Sequence, residues 1–168
     1  MRIPLLLTFV LALPVHAADT LDARLVALED RAAIETLVTG AYPRALDGRH
    51  WADYAALFTS DAQLTMQSQT LKGSAAIEQY FRNVRLPGIA PPRPGEVRAL
   101  HIVTNVSYKL DGDTASGGAY WQTIAVTDGH TAVLSAGHYE DLLRKVDGRW
   151  KFAKRVIASD LAPPPANR

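Results

Sequence analysis

The sequence predicts an α+β domain in which N-terminal helices pack on a strongly bent antiparallel sheet. Three observations lead there. Apolar residues recur at helical spacing through the first half of the chain. From Val97 onward the apolar period falls to two. Three Asp-Gly pairs, at Asp111-Gly112, Asp128-Gly129 and Asp147-Gly148, then separate four long alternating segments and read as hairpin turns. The chain has 168 residues, enough for one core and too few for two comfortable ones.

From Asp19 to Phe58 the pattern is helical, with Leu21, Leu25, Leu28, Ala32 and Leu37 as an apolar stripe between charged positions. Gly40 and Pro43 interrupt it, and the missing donor of Pro43 predicts a kink or break near Thr39–Tyr42. Asp47-Gly48 ends the element, with Gly48 suited to the C′ position. A second helix is expected from about His50 to Phe58, and a short strand from Asp61 to Met66. Gly73-Ser74 opens a third helix over Ala75–Val84, with Ile77, Tyr80, Phe81 and Val84 on one face.

Arg85–Glu96 carries Pro87, Pro91, Pro92 and Pro94 and is neither helix nor central strand. A loop of this length is more often functional than idle, and a lid over a pocket is the expected role. The strands follow over Val97–Leu110, Thr114–Val126, Thr131–Lys145 and Trp150–Ala158. Such lengths exceed the usual five or six residues, so the sheet must bend, through bulges or through Gly117, Gly118 and Gly137. A bent sheet closed by helices makes a cone with an internal pocket. Trp51, Phe58, Trp150 and Phe152 are expected in the core.

The termini read differently. Arg2 precedes the apolar run Ile3–Leu13, and Val15-His16-Ala17 suits a signal-peptidase site, so residues 1–17 are expected to be a Sec leader cleaved after Ala17. The run is too short to span a bilayer. The folded domain is then 18–160, and the proline-rich residues 161–168 are a disordered tail. A periplasmic or secreted location follows.

Composition excludes several chemistries. With no cysteine there are no disulfides, thiolate nucleophiles or Cys-zinc sites. A net charge of +1 without a Lys/Arg run argues against nucleic-acid binding. His50, His101, His130 and His138 show no ligand spacing, so no metal site is expected. His50 and His130 lie beside turns and should be solvated, and His138 is expected at a rim or surface. No phosphate-binding glycine loop or Ser-His-Asp elbow is present.

Several segments together resemble a known family. Arg31-Ala32-Ala33-Ile34-Glu35, Ala45-Leu46-Asp47-Gly48-Arg49-His50-Trp51 and Leu57-Phe58-Thr59-Ser60-Asp61-Ala62 look like the helical half of a SnoaL-like domain. Leu71-Lys72-Gly73, Leu100-His101-Ile102-Val103-Thr104-Asn105, Gly137-His138-Tyr139-Glu140-Asp141 and Asp147-Gly148-Arg149-Trp150-Lys151-Phe152 look like its sheet half. The resemblance covers roughly Asp19 to Ala158. It implies the cone-shaped nuclear-transport-factor-2-like fold, usually dimeric, whose members include polyketide cyclases, scytalone-dehydratase-like lyases, a dehydrochlorinase, ketosteroid isomerases and proteins without known catalysis. Fold alone does not select among these.

In the dehydratase and dehydrochlorinase branches an Asp of the first segment and a His before the Thr-Asn strand form a dyad. The matching positions here are Asp47 and His101. The resemblance therefore implies His101 as a general base oriented by Asp47, without a cofactor, acting on a small apolar or aromatic molecule. Leu46 stands where the dehydratase usually has Tyr, and its second histidine falls near Ala119 or Tyr120, so scytalone-type dehydration is not implied. Tyr42, Met66, Trp121 and Tyr139 are pocket candidates, although core packing explains them equally well. Strict alternation puts His101 with Val103 and Asn105, opposite Leu100, Ile102 and Val106. The apolar set Leu100, Ile102, Val106 and Tyr108 suggests that both sheet faces are covered, and hence a homodimer. The competing function is a non-catalytic ligand-binding or dimeric interaction module.

Overall fold

The computed structural model describes residues 20–84, 99–127 and 130–161. The leader, the whole of the Arg85–Glu96 loop, the Asp128-Gly129 turn and all of the tail except Leu161 lie outside these residues. Helix α1 spans Leu21–Glu35 and is capped by Thr20, whose hydroxyl accepts the Ala23 N–H at 3.2 Å. The expected break is a π-helical turn, Thr36–Ala41, that runs directly into α2, Tyr42–Asp47. Pro43 sits in the first turn of α2, where its missing N–H costs nothing. Gly48 follows with φ −74°, and the left-handed conformation falls instead on Arg49, φ 57°. Helix α3, Trp51–Ala56, is short because the chain turns into strand β1, Phe58–Met66, earlier than apolar spacing suggested. A short strand β2, Gln69–Lys72, precedes α4, Ser74–Asn83.

Strands β3 (Ala99–Asp111), β4 (Thr114–Thr127), β5 (His130–Val146) and β6 (Arg149–Leu161) form the antiparallel meander. The β5–β6 turn has both central residues at positive φ, Asp147 at 49° and Gly148 at 72°, as a two-residue type I′ hairpin requires. The sheet order is β2-β1-β6-β5-β4-β3, and the sheet is mixed, because β1 lies parallel to β6. That single parallel pairing departs from the all-antiparallel expectation. It is open to β1 because no hairpin joins β1 to β6.

Strand phase changes at bulges. In β3 the pairing slips between Thr104 and Ser107, and Asn105 takes φ 54°. Asn105 is therefore exposed, and Val106, Tyr108 and Leu110 join His101 and Val103 on the helix-covered face. The expectation of Val106 and Tyr108 on the outer face is corrected by this one residue. In β6 the register shifts opposite Leu142 and Leu143, which turns Arg155 inward. Gly118 and Gly137 allow close strand approach: a Cβ there would lie 1.9 Å from the Tyr139 and Ala158 carbonyl oxygens respectively.

Phe58, Trp150 and Phe152 are buried, and Trp51 packs against the same core. Helix α1 buries Ile34 but leaves Leu21, Leu25 and Leu28 exposed.

Candidate functional site

The end of α2 and the start of β3 meet at Asp47 and His101. β3 is an edge strand, and the helices lie along its free side. The Asp47 Oδ2 accepts the His101 backbone N–H at 3.1 Å, and its Oδ1 lies 2.5 Å from His101 Nδ1. A carboxylate only accepts, so Nδ1 donates, and in a neutral ring Nε2 carries the lone pair. Nε2 makes no hydrogen bond among the described residues. Both side chains are mostly covered, at 24% exposure for His101 and 13% for Asp47.

The core between the helices and the sheet is aromatic. Tyr42, Trp121 and Tyr139 are buried in the core, and Met66 is partly buried against it. Tyr139 stacks on Trp121 at 6.1 Å and meets Tyr42 edge-on at 5.7 Å. Tyr54, on α3, donates to the Tyr42 hydroxyl at 3.0 Å. Burial pushes the Tyr54 and Tyr139 hydroxyls well above the usual phenol range, so both are neutral donors. These aromatic residues pack on one another, and Met66 is in register with Ile157, which in turn faces Tyr139.

Tyr108, Gly117, Asp141 and Arg155 form one row across β3 to β6. Arg155 is fully buried and bonds Asp141 twice, at 2.8 and 2.7 Å. Tyr108 donates to the same carboxylate across the side-chain-free Gly117. The guanidinium lies 3.9–4.1 Å from the ring centroids of Tyr42, Tyr139 and Phe152. Burial opposes its charge, and the Asp141 carboxylate together with Tyr42 and Tyr139 holds its pKa above the ordinary value. Sequence reasoning missed this cluster because two bulges, not strict alternation, turn Tyr108 and Arg155 inward.

A separate cleft of about 470 Å³ lies between α1 and β3. Its walls are Arg31, Ile34, Glu35, Thr39 and the β3 segment Val103–Tyr108, so it includes neither the dyad nor the four pocket candidates. Among the described residues no cluster of side chains has metal-ligand geometry, and no helix is long and apolar enough to cross a membrane. His50 and His130 are exposed, and His138 is about one-third exposed on the outer sheet face.

A family model for the SnoaL-like domain matches residues 26–156. No curated protein matches the sequence. Among solved structures, LinA superimposes with a TM-score of 0.68 at 25% identity, over 86% of this chain and 95% of that one. A scytalone-dehydratase-like protein from Novosphingobium aromaticivorans gives 0.67 at 22% identity, over 86% and 93%. A protein with a cystatin-like fold from Nostoc punctiforme gives 0.67 at 23% identity, over 81% and 95%.

Proposed function

Because the chain belongs to the SnoaL-like domain family, we propose that it is a cofactor-independent lyase or isomerase in which His101 abstracts a proton from carbon. The observation that carries this reading is the double contact of Asp47 with His101. One oxygen anchors the backbone of the strand and the other fixes the ring, so the imidazole is oriented before any substrate arrives. Nε2 is the basic atom, and Asp47 stabilises the imidazolium that forms. The substrate is a small, largely apolar or aromatic molecule entering beside the Trp121–Tyr139–Tyr42 wall. The proton moves to Nε2, and the resulting carbanion expels a leaving group, rearranges or closes a ring. With a substrate in hand, His101→Gln lowers kcat by roughly 10²–10⁴-fold, the usual share of general-base catalysis. Unchanged turnover in that variant refutes the reading.

One observation favours a second reading. Tyr42, Trp121 and Tyr139 fill the inner face by packing on each other, as expected of a non-catalytic binding or dimeric module. Native mass spectrometry of the purified protein separates the two. A small molecule retained by wild type and turned over supports the enzyme, and one retained unchanged supports the module.

The Arg2 and Ile3–Leu13 pattern supports export through Sec with cleavage after Ala17. N-terminal sequencing of a periplasmic product then begins at Ala18. The outer sheet face exposes Leu100, Ile102 and Tyr120, which supports a homodimer through that face. Light scattering at half or less of the dimer mass contradicts it.

A further inference from the structure

Helix α1 has two apolar faces, and only one is used. Ala27, Asp30 and Ile34 of α1 turn toward the body of the protein, as do Leu37 and Val38 of the π-helical turn after it, and all are buried or partly buried. Leu21, Leu25 and Leu28 are 79%, 55% and 60% exposed, and Ala32 continues their line. At about 100° per residue the two faces lie about 160° apart. The leucine stripe therefore points straight away from the domain. Its spacing of four, three and four residues is that of a coiled-coil seam, with Leu21 and Leu28 at d and Leu25 and Ala32 at a.

The flanking charges say what covers it. The two e positions are acidic, Asp22 and Glu29, and the two g positions are basic, Arg24 and Arg31. A parallel pair of α1 helices sets the g residue of one against the e residue five positions on in the other, so Arg24 meets Glu29 of a second copy, twice by symmetry. An antiparallel pair sets e against e and g against g, and every contact is then between like charges. None of these four side chains has an ion pair among the described residues. The stripe lies opposite the packed face, so a partner helix laid on it approaches from the side away from the domain.

We propose that α1 is a self-association element that packs in parallel, in register, against α1 of a second copy of this chain. This contact is independent of the dyad and distinct from the outer sheet face. Two short heptads are too little to pair as free peptides. Here the folded domains hold each helix formed, so only the contact itself needs to be stabilised.

The chain contains no cysteine, so single replacements report on the contact cleanly. Leu21→Cys and Leu28→Cys are made separately in the purified full chain and oxidised gently, with Ala33→Cys, exposed on another face of the same helix, as the control. The proposal predicts that each leucine variant forms a disulfide-linked dimer with itself, at least tenfold faster than the control. Arg24→Glu on the Leu28→Cys background slows the reaction, and adding Glu29→Arg restores it. Crosslinking of Leu28→Cys with an added Leu25→Cys protein but not with itself means an antiparallel pair, which sets a against d, and overturns the proposal. So do rates no faster than the control, which mean a monomer, a different partner or association through the sheet face alone. Circular dichroism matching wild type keeps a negative result decisive, since all the changed residues are exposed.

Discussion

Asp47 holds His101 by both its backbone and its ring, through separate carboxylate oxygens, across 54 positions of sequence. No local interaction obliges these residues to meet. The contact joins the C-terminal end of α2 to the free edge of β3, so it ties the helices to the sheet as well as orienting the imidazole. Asp47→Ala leaves a partly buried N–H without a partner and is expected to cost about 1–3 kcal/mol. Urea denaturation checks it, and an unchanged midpoint would show that water replaces the carboxylate.

The Asp141–Arg155 pair predicts a larger effect. Asp141→Ala strands a fully buried guanidinium and should destabilise by about 3–5 kcal/mol. Replacing both partners at once, Asp141→Leu with Arg155→Met, on a Tyr108→Phe background that removes the hydroxyl bonded to Asp141, should recover much of that loss, because the apolar set carries no desolvation penalty. A combined variant worse than Asp141→Ala in the same denaturation assay would contradict this account.

The same cluster marks the limit of what the sequence discloses. The four-strand meander is legible from alternation and from its Asp-Gly turns, because turn chemistry and side-chain period act locally. The pairing of Asp47 with His101 is legible only through family resemblance. Tyr108 and Arg155 are not legible, because each faces inward only after a bulge has shifted its strand by one residue. Bulges carry no fixed sequence signal at Asn105 or near Phe152. The parallel β1–β6 pairing is equally hidden, since nothing in β1 names its long-range partner. Nor does helical spacing say which apolar stripe of α1 faces the core.

Two glycines should respond oppositely to alanine. In Gly137→Ala the new Cβ would sit 1.9 Å from the Ala158 carbonyl oxygen, so the strands must separate and the variant should fail to fold or lose more than about 4 kcal/mol. Gly40, in the π-helical turn, has nothing within 4 Å of that position, and Gly40→Ala should stabilise by about 0.5–1 kcal/mol. Thermal melts of the two variants provide the check. Similar effects at both sites would contradict the geometry.

His138 gives the fold a pH-dependent contribution. Its Nδ1 lies 2.8 Å from Asp160, and that hydrogen bond, with Glu140 nearby, raises its pKa above the ordinary 6.5. The folded state therefore favours the protonated ring. Its stabilisation is fully present below the ordinary value and fades as pH rises through the raised one. His138→Gln should melt below wild type at about pH 6 and match it at about pH 9. A gap that widens with pH would reverse the sign.

Proton abstraction from carbon by His101 leaves a mark that can be measured. Solvent exchange reads that step directly, without knowledge of the final product. The protein is incubated in D₂O with a panel of small apolar and aromatic carbon acids, and deuterium at carbon is followed by NMR. The account predicts incorporation into at least one compound by wild type, with a rate lower by roughly 10²–10⁴-fold in His101→Gln. Incorporation at the same rate in both proteins, or none above the buffer rate in either, would contradict it.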